Sequence, residues 1–150
     1  MQVAELNGVF TGQGRGEAVN VLGIAVEILL PSEATGGAFT TYLMAVEPGF
    51  GPPLHVHSND DECFYVLDGE FEVRCGDETT IVRTGDQAFL PRHTPHTFRN
   101  VGTQTGHLLG FGTPGGHEEF FRDANRLSFP PDPEAATAVC RKHGLELVGP

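Results

Sequence analysis

Four residues of this chain have the types and spacing to do chemistry together: His55, His57, Glu62 and His96. Side chains at i and i+2 of an extended strand point to the same face, so His55 and His57 can address one ion. A carboxylate on the following strand, Glu62, can close on the same point. His96 follows a second segment marked by Gly85 and Pro91. Three imidazoles and one carboxylate make a complete ligand set for one divalent transition metal, and these ligand types do not choose among Fe, Mn, Ni, Co, Cu and Zn. The competing reading, that all four are ordinary polar surface or turn residues, does not account for the spacing.

Elements that could position these side chains are short strands. The 20 glycines and 11 prolines punctuate segments rich in Val, Ile, Phe, Thr and Leu, as in an all-β domain with frequent turns. Strands are expected at 19–30, 38–47, 54–56, 62–67, 70–75, 79–83, 87–90, 97–101 and 105–112. Asp68-Gly69, Gly76-Asp77 and Thr84-Gly85-Asp86 supply the turn chemistry between them. A sandwich or barrel follows. The C-terminal part differs: Phe120, Phe121, Ala124 and Leu127 fall at helical spacing, giving a helix over 118–127 with one apolar face. A second helix starts at Asp132 as cap with Pro133 at its first position, and stops at Gly144.

Composition bounds the possible partners. A chain of 150 residues and 39% apolar content fits one domain with a full core. A formal charge of -11 opposes binding to phosphate backbones or anionic lipid, which argues against nucleic acid. No run reaches the length of a membrane span, and the start, MQVAELNGVF, lacks the basic and apolar regions of a leader, so a cytoplasmic location is expected. Three cysteines without a CxxC pair indicate neither a disulfide framework nor a thiolate zinc site.

Strand parity assigns the neighbours. Phe64 and Val66 share the face of Glu62, Phe98 shares that of His96, and an apolar cavity around the ion is implied; Cys63 points the other way as a packing thiol. Tyr42 and Met44 alternate on an earlier strand whose phase no ligand fixes, so they stand outside the site. His107, His117 and His143 lack comparable partners and are read as structural or solvated. Asp60 and Asp61 read as a solvated loop, with Asp61 the one able to reach a ligand imidazole.

Gly49, His55, His57, Glu62 and Gly69, followed by Gly85, Pro91, His96 and Asn100, resemble the two motifs of the cupin superfamily. The flanking segments 35–39 and 113–121 are similar to the small, single-domain, quercetin dioxygenase-like members. This resemblance implies a jelly roll, or double-stranded β-helix, over about 19–112, with short C-terminal helices over about 117–144, all in one cupin domain spanning 1–150. It implies a metal held by His55, His57, Glu62 and His96, with Glu62 also the catalytic acceptor of a substrate proton. A dioxygenase acting on a small aromatic or enolisable molecule, with O2 as co-substrate, is the leading expectation. A non-oxidative isomerase, decarboxylase or polyketide cyclase-like enzyme is the second, and a ligand-binding or sensing module the third. A homodimer is expected, because an N-terminal strand over 19–30 would need a partner or cover. One position departs from the pattern: His93 stands where cupins usually have glycine, two residues after Pro91. It lines the site mouth, shuttles protons or merely occupies a turn, and histidine sometimes tolerates positive φ there.

Overall fold

A computed structural model describes residues 5–150 of the protein. Residues 1–4, part of the segment read above for a leader, lie outside the described residues. Among the described residues eleven strands and two α-helices follow in the order β1 (Glu17–Val21), β2 (Ile24–Leu30), β3 (Thr40–Val46), β4 (His55–His57), β5 (Asp61–Asp68), β6 (Glu70–Cys75), β7 (Glu78–Arg83), β8 (Gln87–Leu90), β9 (His96–Asn100), β10 (Gly106–Thr113), α1 (His117–Ala124), α2 (Pro133–Lys142) and β11 (Leu145–Leu147). One sheet runs β1-β2-β3-β10-β5-β8 and the other β11-β4-β9-β6-β7. Strand pairing is antiparallel within both. The architecture is the double-stranded β-helix that the motifs imply, with two short helices appended.

Alternation along the strands builds the core between the sheets. Thr40, Tyr42, Met44 and Val46 point inward from β3, Glu62, Phe64 and Val66 from β5, and His96, Phe98 and Asn100 from β9. Gly110 on β10 faces Tyr42 on one side and Phe64 on the other. A side-chain carbon at Gly110 would collide with the Tyr42 ring, so the tyrosine crosses the core only because this position is bare.

Two local features differ from expectation. The single strand expected over 19–30 is a hairpin: Val21 pairs with Ile24 across a two-residue turn, Leu22-Gly23, with φ of 52° and 94°. That turn normally takes Asn-Gly, so no turn signal marks it in the sequence. Leucine in this left-handed region costs about 1–2 kcal/mol. The conformation is fixed from several sides, since the Gly23 amide donates to Asn20 Oδ1 at 3.0 Å and the Phe129 ring packs on Gly23. The second difference is β11, which follows α2 and pairs with β4, setting Leu145 opposite His57. Three residues are too few for a periodic signal.

The helices are attached as their caps require. Asp132 Oδ2 accepts from the Ala135 amide at 2.9 Å, and Gly144, at φ 74°, ends α2. Helix α1 begins at His117, one residue earlier than expected, and ends at Ala124. Its anchor is Glu118, fully buried, which accepts from the Ser32 amide (2.8 Å), the Ser32 hydroxyl, Thr40 Oγ1 (2.5 Å) and the Gly116 amide (3.1 Å).

Burial disfavours the Glu118 carboxylate, but the hydrogen bonds from Ser32 and Thr40 outweigh it and hold its pKa below the usual carboxyl range. A depressed folded pKa means that the group's contribution is complete above the unfolded value of about 4.3 and is lost as pH falls below it. Glu118→Gln is therefore expected to lower stability by about 2 kcal/mol at pH 7. In urea unfolding, the gap from the wild type should shrink as pH drops below about 4.

Candidate metal centre

The five-stranded sheet presents three imidazoles. His55 and His57 both point inward from β4, and His96 sits directly opposite His55 on β9. Glu62 comes from β5 in the facing sheet, so the carboxylate closes on the histidines across the sandwich rather than along one sheet. All four side chains are buried. One potential ligand atom from each lies within 4.8 Å of the others, so the cluster could hold a metal ion.

Hydrogen bonds behind the rings decide which atoms face inward. His55 Nδ1 lies 2.7 Å from the Pro53 carbonyl, His96 Nδ1 3.1 Å from the Thr94 carbonyl, and His57 Nδ1 3.2 Å from Asp60 Oδ1. Each of these partners only accepts, so each Nδ1 carries the proton and each Nε2 is left with its lone pair. Tyr42 donates its hydroxyl to Glu62 Oε1, which leaves Oε2 toward the rings.

Glu62 Oε2 then faces His96 Nε2 at 3.3 Å and His57 Nε2 at 3.4 Å, acceptor against acceptor. His57 Nε2 is buried and has no hydrogen-bond partner among the described residues, despite this closeness to Glu62. Only a proton or a cation between these atoms relieves the opposition. The donor set therefore fits a divalent transition metal, with neutral imidazoles and an ionised carboxylate as its ligands.

The electrostatics of the side chains follow from their surroundings. Burial, with the neighbouring rings of His96 and His57, pushes His55 down to about 4, so it is neutral at ordinary pH. Burial also works against a charged His57, but its hydrogen bond to Asp60 and the charge of Glu62 prevail and raise its pKa. For Glu62, burial opposes ionisation, while the imidazoles around it, His96 first and then His57 and His117, favour the anion and hold the carboxyl well below its usual range. Tyr42 is raised well above the ordinary phenol value, by burial first and then by Glu62, so it remains a donor.

Several neighbours differ from the expected set. Tyr42, set outside the site on sequence grounds, touches Glu62 directly. The partner of His57 is Asp60, not Asp61; Asp61 instead receives a fork of bonds from Arg92 Nε (3.1 Å) and Nη2 (3.2 Å). His117 is neither solvated nor remote, because its ring lies 4.9 Å from that of His57 and its Nδ1 lies 3.6 Å from Asp60 Oδ2. His57, Asp60 and His117 form a second buried group joined to the first through His57. Its signal was in the sequence: His117 precedes Phe120 and Phe121 by three and four positions and so shares the inward face of α1. His107 and His143 do stand apart, paired with Asp68 and Asp123. His93 is exposed, adopts φ 67°, and donates its amide to the His57 carbonyl at 2.8 Å, so the left-handed position is kept without glycine.

A cavity of about 100 Å³ opens onto His55, His57 and Glu62. Its walls include Met44, Phe98, Phe121 and Cys140; Phe64 and Val66 lie behind them in the core. Among the described residues no helix is long and apolar enough to cross a membrane.

Comparison with known proteins agrees with this architecture. The family model described as "Cupin domain" matches residues 42–111, from Tyr42 to Phe111. Quercetin 2,3-dioxygenase of Bacillus subtilis is 35% identical over 72 residues, which are 48% of this chain and 21% of that protein. Protein SchB of Streptomyces halstedii is 33% identical over 53% of this chain and 59% of its own length. The chain thus spans less than two thirds of either relative. Among solved structures, an RmlC-like cupin from Shewanella frigidimarina superimposes with a TM-score of 0.63 at 19% identity, covering 75% of this chain and 96% of that one, a likeness of fold. With both motifs inside the matched segment and their residues gathered at one point between the sheets, the chain belongs to the cupin superfamily.

Proposed function

We propose that this protein is a single-domain, metal-dependent cupin enzyme in which His55, His57, His96 and Glu62 hold one divalent transition metal. The observation that carries the reading is the opposition of buried acceptors, His57 and His96 Nε2 against Glu62 Oε2, each fixed by a partner behind it. The leading reaction is dioxygenation of a small aromatic or enolisable compound, supported by the quercetin 2,3-dioxygenase relative and by the apolar cavity beside the cluster. When bound, the ion supplies Lewis acidity toward a substrate oxygen and a redox centre for O2.

The chain's own residues supply the remainder. Glu62 Oε2 is an ionised acceptor at the cavity floor, in position to take a hydroxyl proton from a substrate. Tyr42 holds Oε1 and so fixes the direction in which Oε2 points. Asp60 holds His57 in one tautomer. Met44, Phe98 and Phe121 limit water around the reacting oxygen.

The same reading includes a homodimer. β1 is an edge strand, and Tyr65, Leu67, Phe89 and Phe111 expose apolar side chains on the outer face of the six-stranded sheet. A concentration-independent monomer in sedimentation would contradict this part.

Metal analysis of the purified protein should find one ion per chain, largely lost in His57→Ala; unchanged metal in that variant overturns the ligand set. Oxygen uptake should accompany turnover of an active member of a phenol and diketone panel. Turnover under strict anaerobiosis would instead favour a non-oxidative isomerase or decarboxylase, and binding without turnover would favour a sensing module. Tyr42→Phe strands Glu62 Oε1 in the core and is expected to lower unfolding free energy by about 2 kcal/mol.

A further inference from the structure

The cavity is polar at one end only. Its floor is formed by His55, His57, Glu62 and His117, whereas Leu22, Gly51, Pro52, Pro53 and Leu147 are the wall residues with partial or full exposure and therefore form its rim. No lysine or arginine lines it among the described residues. Arg92, close to the cluster in sequence, is engaged by Asp61 and is not part of the wall. A free volume of about 100 Å³ is below the roughly 150 Å³ of a dry protein cavity that takes benzene, so the space admits nothing larger than a single ring.

Leu22 sets the character of the rim. It is one of two non-glycine residues with positive φ among the described residues. At that turn position asparagine or glycine would be relaxed, yet here a leucine side chain lines the cavity. Backbone strain that the surroundings hold in place is a pointer to function.

We infer that the cavity takes a substrate whose body is one uncharged ring, with its ionisable oxygen at the imidazole end, and that the Leu22 rim excludes a second anionic group at the far end. The identity of the inner end rests on the metal reading above; the rim does not. A carboxylate at the outer end would exchange part of its water for the apolar surfaces of Leu22, Pro53 and Leu147 with no cation to meet it, and the net charge of -11 opposes it further.

Phenol and 4-hydroxybenzoate test this directly, because they share the ring and hydroxyl and differ by a carboxylate opposite that hydroxyl. Binding is followed by ligand-observed NMR titration of the protein as purified and after chelation, with metal content measured in each sample. The wild type should bind phenol at least about tenfold more tightly than 4-hydroxybenzoate. Leu22→Lys, which keeps the same backbone strain, should narrow that ratio at least about threefold by offering the carboxylate a cation. Leu22→Asn should unfold at an equal or higher temperature than the wild type while binding phenol more weakly. Equal affinity for the two probes, a ratio unmoved by Leu22→Lys, or no phenol binding at about 10 mM overturns the inference. Absence of metal with the ratio intact defeats the metal reading alone, whereas a ratio of one in metal-loaded protein defeats the rim alone.

Discussion

The meeting of buried lone pairs between the two sheets is the constraint on which the rest of this structure depends. Glu62 Oε2 lies 3.3–3.4 Å from two imidazole nitrogens that carry no proton in the tautomers their partners impose. Buried acceptors held face to face are costly unless something positive lies between them. A fold that fixes them this way has a cluster that could hold a cation, and the surrounding side chains make sense as supports for that arrangement.

Those supports reach well into the core. Tyr42 can reach Glu62 only because Gly110 leaves room for its ring, so a bare position on β10 is part of the centre although it touches none of the proposed ligands. Asp60 stands between His57 and His117, which links β4 to α1. Glu118, next to His117, pins α1 to the Ser32 and Thr40 segments and thereby holds the wall containing Phe120 and Phe121 against the barrel. The His/Glu cluster, core packing and the helical appendage are thus mechanically continuous.

The proposed ligand set could be read from the chain because strand parity is a strict rule: residues two apart share a face whatever the tertiary context. The same rule correctly grouped Phe64 and Val66 with Glu62. What could not be read depended on contacts between distant elements. The phase of β3, and so the role of Tyr42, is set by packing against Gly110. The choice of Asp60 over Asp61 turns on alternation at the start of β5, where Asp61 points outward to Arg92. The Leu22-Gly23 turn was missed because leucine there opposes local preference, and β11 because three residues carry no period. Of the two readings of His117, structural or solvated, the structure shows a buried ring beside His57, a place available from helical spacing on the apolar face of α1.

Anomalous diffraction at the absorption edge of the metal found in the purified protein would test the central claim most directly. The account predicts one peak, bounded by the Nε2 atoms of His55, His57 and His96 and by Oε2 of Glu62, with Tyr42 still bonded to Oε1. A peak at another cluster, ligation through Nδ1, or an empty site in active protein would contradict it.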